Sequence, residues 1–145
     1  MAVKEITTKM KQQLAFNVAA ITSDTTTTGN IIDVSDADGG VNFTFFSGAY
    51  TDGSYVLLVE EGNDSGLSDA AAVDDLQLVA QDTSSATAPE AQTTIAAANK
   101  IKRIGYRGSK RYVRLSIVST STSSGATLGA TVDLWTEIKA AGVVA

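Results

Sequence analysis

The stretch "KRIGYRGSKRYVRLSIV", residues 102–118, decides the fold that this sequence predicts. It contains most of two runs that are typical of strands, 101–106 and 111–118, and the polar turn 107–110 between them. Two strand-like runs joined by a short Gly-containing turn predict a β-hairpin. In the second run apolar and polar residues alternate, which is the period of a strand with one face in a core. The apolar members of that run are Val113, Leu115 and Ile117.

Similar runs with turn signals between them recur along the rest of the chain. The alternating run 41–46 and the apolar run 55–61 flank residues 47–54, whose Asp-Gly pair predicts another hairpin. One short helix is predicted to begin at Pro89, because proline followed by an acidic residue suits a first helical turn. The further strand-like runs are 14–22, 31–34, 75–80 and 127–135.

This spacing predicts an all-β fold. About eight short strands, roughly 8–12 residues apart, with at most one short helix, are typical of an antiparallel β-sandwich of jelly-roll-like type. A length of 145 residues suits a single domain over residues 1–145, with residues 1–13 as a candidate extended N-terminal arm. No run approaches the ~18 consecutive apolar residues of a spanning helix, so we expect no membrane partner.

The composition argues against most catalytic chemistry. The chain has neither histidine nor cysteine, so it lacks the commonest general base at neutral pH, the thiolate nucleophile and the usual zinc ligands. Glu60 and Glu61 are adjacent on a predicted strand, so their carboxylates point to opposite faces and cannot share one glycosidic bond. We therefore expect a protein that is not an enzyme and that uses no cofactor.

Positive charge is concentrated in one part of a chain whose net charge is -5. Residues 12–99 contain no Lys or Arg, whereas residues 100–114 contain seven of the 11 cations. We expect Arg114 to lie on a sheet surface beside carboxylates of neighbouring strands, and Arg107 and Lys110, at the turn, to point outward. The residues predicted to contact a partner are Arg103, Arg107, Lys110 and Arg111.

Two other kinds of ligand fit the charge pattern less well. Tyr106 and Tyr112, beside the cations, would suit unpaired bases, but a nucleic-acid-binding domain is usually basic as a whole, so we expect no nucleic-acid partner. The acidic residues around 33–38 and 60–69 lack the bidentate Glu of an EF-hand. We interpret them as turn residues that bind their own backbone, and predict no metal site.

Two segments resemble a known group of proteins. "DGSYVLLVEEGNDSGLSDAAAV" (52–73) and "IKRIGYRGSKRYVRLSIVSTSTSSGATLGATV" (101–132) resemble small structural proteins of tailed-phage heads. Those proteins share an acidic loop followed by a "KRIGY.G.KRYVRL" pattern. In size and all-β character the chain is also similar to the jelly-roll cement, or decoration, proteins of short-tailed phage heads.

The resemblance implies a location and partners. The protein would be made in the host cytoplasm and would lie on the outer capsid surface of the virion, bridging subunits of the major capsid protein. It would form a homodimer or homotrimer at a symmetry axis of the shell. A tail, fibre or head-tail accessory β-sandwich, with carbohydrate binding as one role, is the alternative, since β-sandwiches serve all these places.

Overall fold

The computed structural model of the chain describes residues 7–136, which contain nine strands and three turns of 3-10 helix. No helix within these residues is long and apolar enough to cross a membrane. Residues 1–6 of the predicted N-terminal arm lie outside the described part, and residues 10–13 belong to the first strand. The strands are β1 (Met10–Ile21), β2 (Thr26–Asp33), β3 (Gly40–Tyr50), β4 (Ser54–Gly62), β5 (Ala71–Ala72), β6 (Leu78–Ala80), β7 (Ile101–Tyr106), β8 (Tyr112–Thr120) and β9 (Ala126–Trp135). The 3-10 turns are Thr7–Lys9, Asp75–Gln77 and Ala91–Thr93.

The strands form two antiparallel sheets arranged as a sandwich. Sheet A has the order β1-β9-β3-β7-β6, and sheet B has the order β2-β8-β4-β5. Four of the strand pairs are β1 with β9, β2 with β8, β3 with β7 and β4 with β5. This is the strand order of a jelly roll, to which β6 adds a short edge strand on sheet A. The predicted antiparallel sandwich is thereby confirmed, with nine strands instead of about eight.

The core lies between the two sheets and is filled by alternate residues of each strand. In β3, Phe43 and Phe45 are fully buried, whereas Asn42 and Thr44 face outward. The same period applies to β4, β8 and β9. Burying one large apolar side chain contributes about 1.5–3 kcal/mol, so this layer dominates the stability of the fold. The largest fully buried side chains are Tyr55, Phe43, Phe45, Ile32, Leu57, Ile95, Ile104, Leu115, Ile117, Leu128, Val59 and Val113.

Both predicted hairpins are wrong. β3 and β4, joined by residues 51–53, lie in different sheets, and so do β7 and β8, joined by residues 107–111. Each connection crosses from one sheet to the other instead of folding back within a sheet. A short Gly-containing turn reverses the chain in either case, so the local pattern cannot tell a hairpin from a crossing. The long strands that pair with them lie far away in the sequence, and only the short β5 and β6 pair with their neighbours in the chain, β4 and β7.

The segment 81–100 closes one side of the sandwich. The helix predicted at Pro89 is a single 3-10 turn, Ala91–Thr93. Its last residue, Thr93, accepts a hydrogen bond at Oγ1 from the Leu57 N–H at 3.1 Å. Ile95, just after the turn, forms an antiparallel bridge with Tyr55 through bonds of 3.0 and 2.8 Å. The segment therefore covers the part of the β4 edge that the two-residue β5 leaves unpaired.

The backbones of β1, β2 and β8 meet at Gly29. A Cβ atom on Gly29 would lie 2.3 Å from the carbonyl oxygen of Ala15 and 2.4 Å from that of Leu115. The register of β2 against β8 shifts between Thr28 and Ile31, so the glycine lies in a bulge. A side chain at this position would push backbone atoms of the neighbouring strands apart.

We expect Gly29→Ala to lower the free energy of unfolding by about 1–3 kcal/mol, because the added methyl group overpacks rigid backbone. The matched control is Gly48→Ala in β3, where the nearest atom to the new Cβ would be the Thr127 Cβ at 3.9 Å. This control should be neutral or should stabilise by up to about 1 kcal/mol, because alanine restricts the unfolded chain more than glycine. Urea unfolding of both variants checks the prediction, and equal losses would contradict it.

Candidate docking surface

The fold divides the cations of residues 100–114 among three places. Lys102 and Arg103 lie on β7 in sheet A, with Lys100 just before that strand, whereas Arg114 lies on β8 in sheet B. Between these strands, the connection 107–111 lies at one end of the sandwich and contains Arg107, Lys110 and Arg111. Cations that are close together in the sequence therefore do not form one surface in the structure.

Arg114 is paired within sheet B, as predicted. Its Nη2 and Nε donate to Glu60 Oε2 at 2.9 and 3.0 Å, across the β4–β8 pair in which the two residues are directly opposite. The hydroxyl of Ser116, a buried residue, donates to the same oxygen at 3.0 Å. The side chains of Arg114 and Glu60 are only 20% and 19% exposed. This cation is therefore committed to the sheet and is not offered to a partner.

Arg111 is also paired, but in a more open place. It donates from Nη2 to Asp33 Oδ2 at 2.9 Å, and its Nε lies 3.3 Å from both oxygens of that carboxylate. The guanidinium also lies 5.2 Å from the centre of the Tyr112 ring. The hydrogen bond from Arg111, with that from the Ser35 N–H, holds the pKa of Asp33 well below its usual range. Arg111 remains 57% exposed, so its outer edge can still meet a partner.

The remaining cations of the connection 107–111 differ in how firmly they are held. Arg107 is exposed, but its Nε and Nη2 donate to the Leu76 carbonyl at 3.1 and 2.9 Å. The backbone of Lys110 donates to the Tyr106 hydroxyl at 3.1 Å, and that hydroxyl donates to Glu61. Burial and the bond to Glu61 raise the pKa of Tyr106. The ammonium of Lys110 is exposed and forms no ion pair with any residue from 7 to 136.

An open groove of about 560 Å³ lies beside this connection. Residues 34, 35 and 37–41 form one wall and residues 106–111 another, so Arg107, Lys110 and Arg111 share the groove with Asp38. These side chains can form hydrogen bonds and ion pairs with a partner protein. Within residues 7–136 no three His, Cys, Asp or Glu side chains come together as metal ligands would.

Arg103, the fourth predicted contact residue, lies away from that groove. It is exposed on the outer face of sheet A, opposite Thr44 of β3, and forms no ion pair with the described residues. The structure thus brings Arg107, Lys110 and Arg111 together and separates Arg103 from them.

The acidic loop 62–70 is built as a turn, as the sequence interpretation proposed. Asp69 accepts the backbone N–H groups of Asn63 and Asp64 at 2.8 and 3.1 Å, and Asp64 accepts those of Gly66 and Ser68 at 2.9 and 3.1 Å. These hydrogen bonds lower the pKa of both carboxyl groups. Their oxygens are used to fix the loop.

Asp52 has a structural role that sequence reasoning missed. Its Oδ1 accepts the N–H groups of Ser123, Ser124 and Gly125 at 3.1, 3.1 and 2.8 Å, and its Oδ2 accepts the Ser123 hydroxyl at 2.6 Å. The bond from the Ser123 hydroxyl, with those from the backbone, lowers the pKa of Asp52. The sequence shows only a turn here, because the partners of this carboxylate are 71–73 residues away.

Comparison of the chain with protein-family models, with curated proteins and with solved structures finds no match.

We expect Arg114→Gln to cost more stability than Arg111→Gln. The first change leaves Glu60 without its cation at a site that is about four-fifths buried, so the free energy of unfolding should fall by about 1–3 kcal/mol. The second change breaks a pair whose members are 57% and 42% exposed, and such pairs contribute at most about 1 kcal/mol. Urea unfolding at pH 7 measures both losses, and a larger loss in Arg111→Gln would refute the ranking.

The hydrogen bonds to Asp52 predict acid sensitivity. Because its pKa is lower in the folded than in the unfolded chain, the contribution of Asp52 is complete above the unfolded pKa of about 3.9 and is lost as the pH falls below it. The free energies of unfolding of wild type and Asp52→Asn should therefore converge as the pH falls from 6 to 2.5.

The control for this experiment is Asp38→Asn. Asp38 is exposed, and its carboxylate accepts no hydrogen bond from the side chains or backbone of residues 7–136. Because it removes a carboxylate without removing such hydrogen bonds, the Asp38→Asn variant, measured by the same denaturant unfolding, shows what the loss of one charge does on its own. A constant difference between Asp52→Asn and wild type over the whole range would contradict the prediction.

Proposed function

We propose that the protein is a cement, or decoration, protein of a tailed-phage head, bound to the outside of the assembled shell. The observation that carries the proposal is where the resembling segments lie in the fold. Residues 52–73 and 101–132 contain all of β4, β5, β7 and β8 and most of β9. The resemblance thus falls on the framework of the sandwich, and jelly rolls are an architecture of viral capsid domains.

The mechanism would be thermodynamic. A protein that binds the assembled shell more tightly than it binds loose subunits stabilises the shell by mass action. By bridging neighbouring subunits of the major capsid protein, each copy would resist their separation under the pressure of packaged DNA. An interface of standard size, roughly 1,600 Å², would suffice for each copy. The protein itself would act as a homodimer or homotrimer on a symmetry axis.

The four candidate contact residues would contribute unequally to this binding. Lys110 and Arg103 are exposed and have no ion pair among residues 7–136. Lys110 is close enough to Asp69 to help lower the pKa of that carboxyl group, but it forms no ion pair that a partner carboxylate would have to displace. Arg107 is already bonded to the Leu76 carbonyl, and Arg111 to Asp33. We therefore expect Lys110 and Arg103 to contribute most of the electrostatic attraction.

The proposal predicts that the purified protein rebinds phage heads assembled without it and raises their melting temperature. Binding should be saturable and should weaken as salt is added, because exposed cations take part. Sedimentation of heads with bound protein and calorimetry of the heads measure the two effects. Lys110→Glu should bind more weakly, with Arg114→Gln as a control whose cation lies within sheet B. Absence of rebinding and of any thermal shift would refute the proposal.

Copy number distinguishes the alternative position in the virion. Hundreds of copies per particle, counted by mass spectrometry, would agree with decoration of the shell. A few to a few dozen copies would place the protein in the tail, a fibre or the head-tail junction instead, where carbohydrate binding would become the activity to test.

A further inference from the structure

The outer face of sheet A, which points away from the core, carries an apolar stripe across four strands. Phe46 of β3 is directly opposite Gly129 of β9 on one side and Ile101 of β7 on the other. The space above Gly129 is filled by the ring of Phe46 and by Val18 of β1, since a Cβ there would lie 2.7 Å from Phe46 Cζ and 2.9 Å from Val18 Cγ2. The stripe thus runs without a gap from Val18 over Phe46 to Ile101.

Both ends of this stripe are open to solvent, and Phe46 between them is partly exposed. Val18 is 58% exposed and Ile101 64% exposed, and beside the stripe Leu14 of β1 is 50% exposed. These are three of the six large apolar residues that are exposed among residues 7–136. Contiguous exposed apolar surface of this kind marks an interaction site more often than scattered single residues do.

The charges around the stripe are almost all positive. Arg103 lies next to the stripe on β7, and Lys100 precedes Ile101; both are exposed and neither forms an ion pair with the described residues. The strands of sheet A contain one acidic residue, Asp133, which accepts a hydrogen bond from Gln12 at 2.8 Å. Sheet B, in contrast, contains Asp33, Glu60 and Glu61 in its strands. In an acidic chain, sheet A is the cationic layer.

We propose that the outer face of sheet A docks on a protein surface that presents apolar side chains flanked by carboxylates. This inference rests on the proposed function, and it adds this face to Lys110, at the end of the sandwich, as a shell-binding contact. Carboxylates of the partner could pair with Lys100 and Arg103, which form no ion pair with the described residues. Apolar side chains of the partner could pack against the stripe. A second copy of the chain offers a poorer match, because its own sheet A would bring the same excess of positive charge.

The test uses the same heads assembled without the protein. Ile101→Glu and Arg103→Glu should each weaken rebinding at least tenfold, because one puts a charge into the stripe and the other repels the partner carboxylates. The matched control is Leu76→Glu, which makes the same kind of change at a residue that is 79% exposed outside sheet A. All three positions are exposed, so circular dichroism and urea unfolding should show folded proteins of nearly wild-type stability.

The outcomes separate this inference from the proposed function. If wild type binds heads and Ile101→Glu binds equally well, the docking face is wrong while the function stands. If Leu76→Glu loses as much affinity as Ile101→Glu, the assignment of the docking face to sheet A is refuted as well. If wild type does not bind heads, the proposed function fails and this inference fails with it. Sedimentation equilibrium adds one further outcome: an oligomer that Ile101→Glu converts to monomer would assign the face to a second copy and overturn the proposal.

Discussion

Burial of alternating apolar side chains between two sheets is the interaction on which the rest of this structure depends. Each central strand contributes one buried face, and the two faces meet in a core that includes Phe43, Phe45, Leu115 and Leu128. Because consecutive strands such as β3 and β4, or β7 and β8, supply opposite walls of that core, the chain passes repeatedly from one sheet to the other. Apart from the short β5 and β6, which pair with neighbouring strands, each strand pairs with strands from distant parts of the sequence, as in a jelly roll.

Polar groups fix the connections in which the chain passes from one sheet to the other. Asp52 ties the β3–β4 connection to the β8–β9 connection, and Asp64 and Asp69 close the loop after β4. In the described residues every buried side-chain nitrogen or oxygen has a hydrogen-bond partner, including the Tyr55 hydroxyl, which donates to the Asp52 carbonyl. Most acidic groups in these loops serve the fold, since their oxygens satisfy backbone N–H groups that would otherwise be unpaired.

Some cations are paired with carboxylates within the fold, so only the others are available to a partner. Arg114 and Arg111 are neutralised by Glu60 and Asp33 in or beside sheet B, whereas Lys100 and Arg103, in and beside sheet A, have no such carboxylate. A chain that is acidic overall thus acquires one layer that is cationic and bears an exposed apolar stripe. The proposed decoration role would use this asymmetry, because one side would face the shell and the other would face solvent.

The sequence by itself determined where most strands lie, which side of each strand is buried, and that Arg114 would find a carboxylate across a strand pair. The first two features repeat every two residues, so they can be read locally. The third follows from the alternation in β8, which puts Arg114 on its outer face, although its carboxylate partner Glu60 is 54 residues away. The tertiary structure alone decided which sheet each strand joins, why the turns at 51–53 and 107–111 are not hairpins, and that Asp52 binds residues 71–73 positions away. It also decided that Arg103 and Lys110, close in sequence, lie on different surfaces. The physical reason is that a turn reverses the chain without choosing its pairing partner, and exposure depends on what the rest of the fold covers.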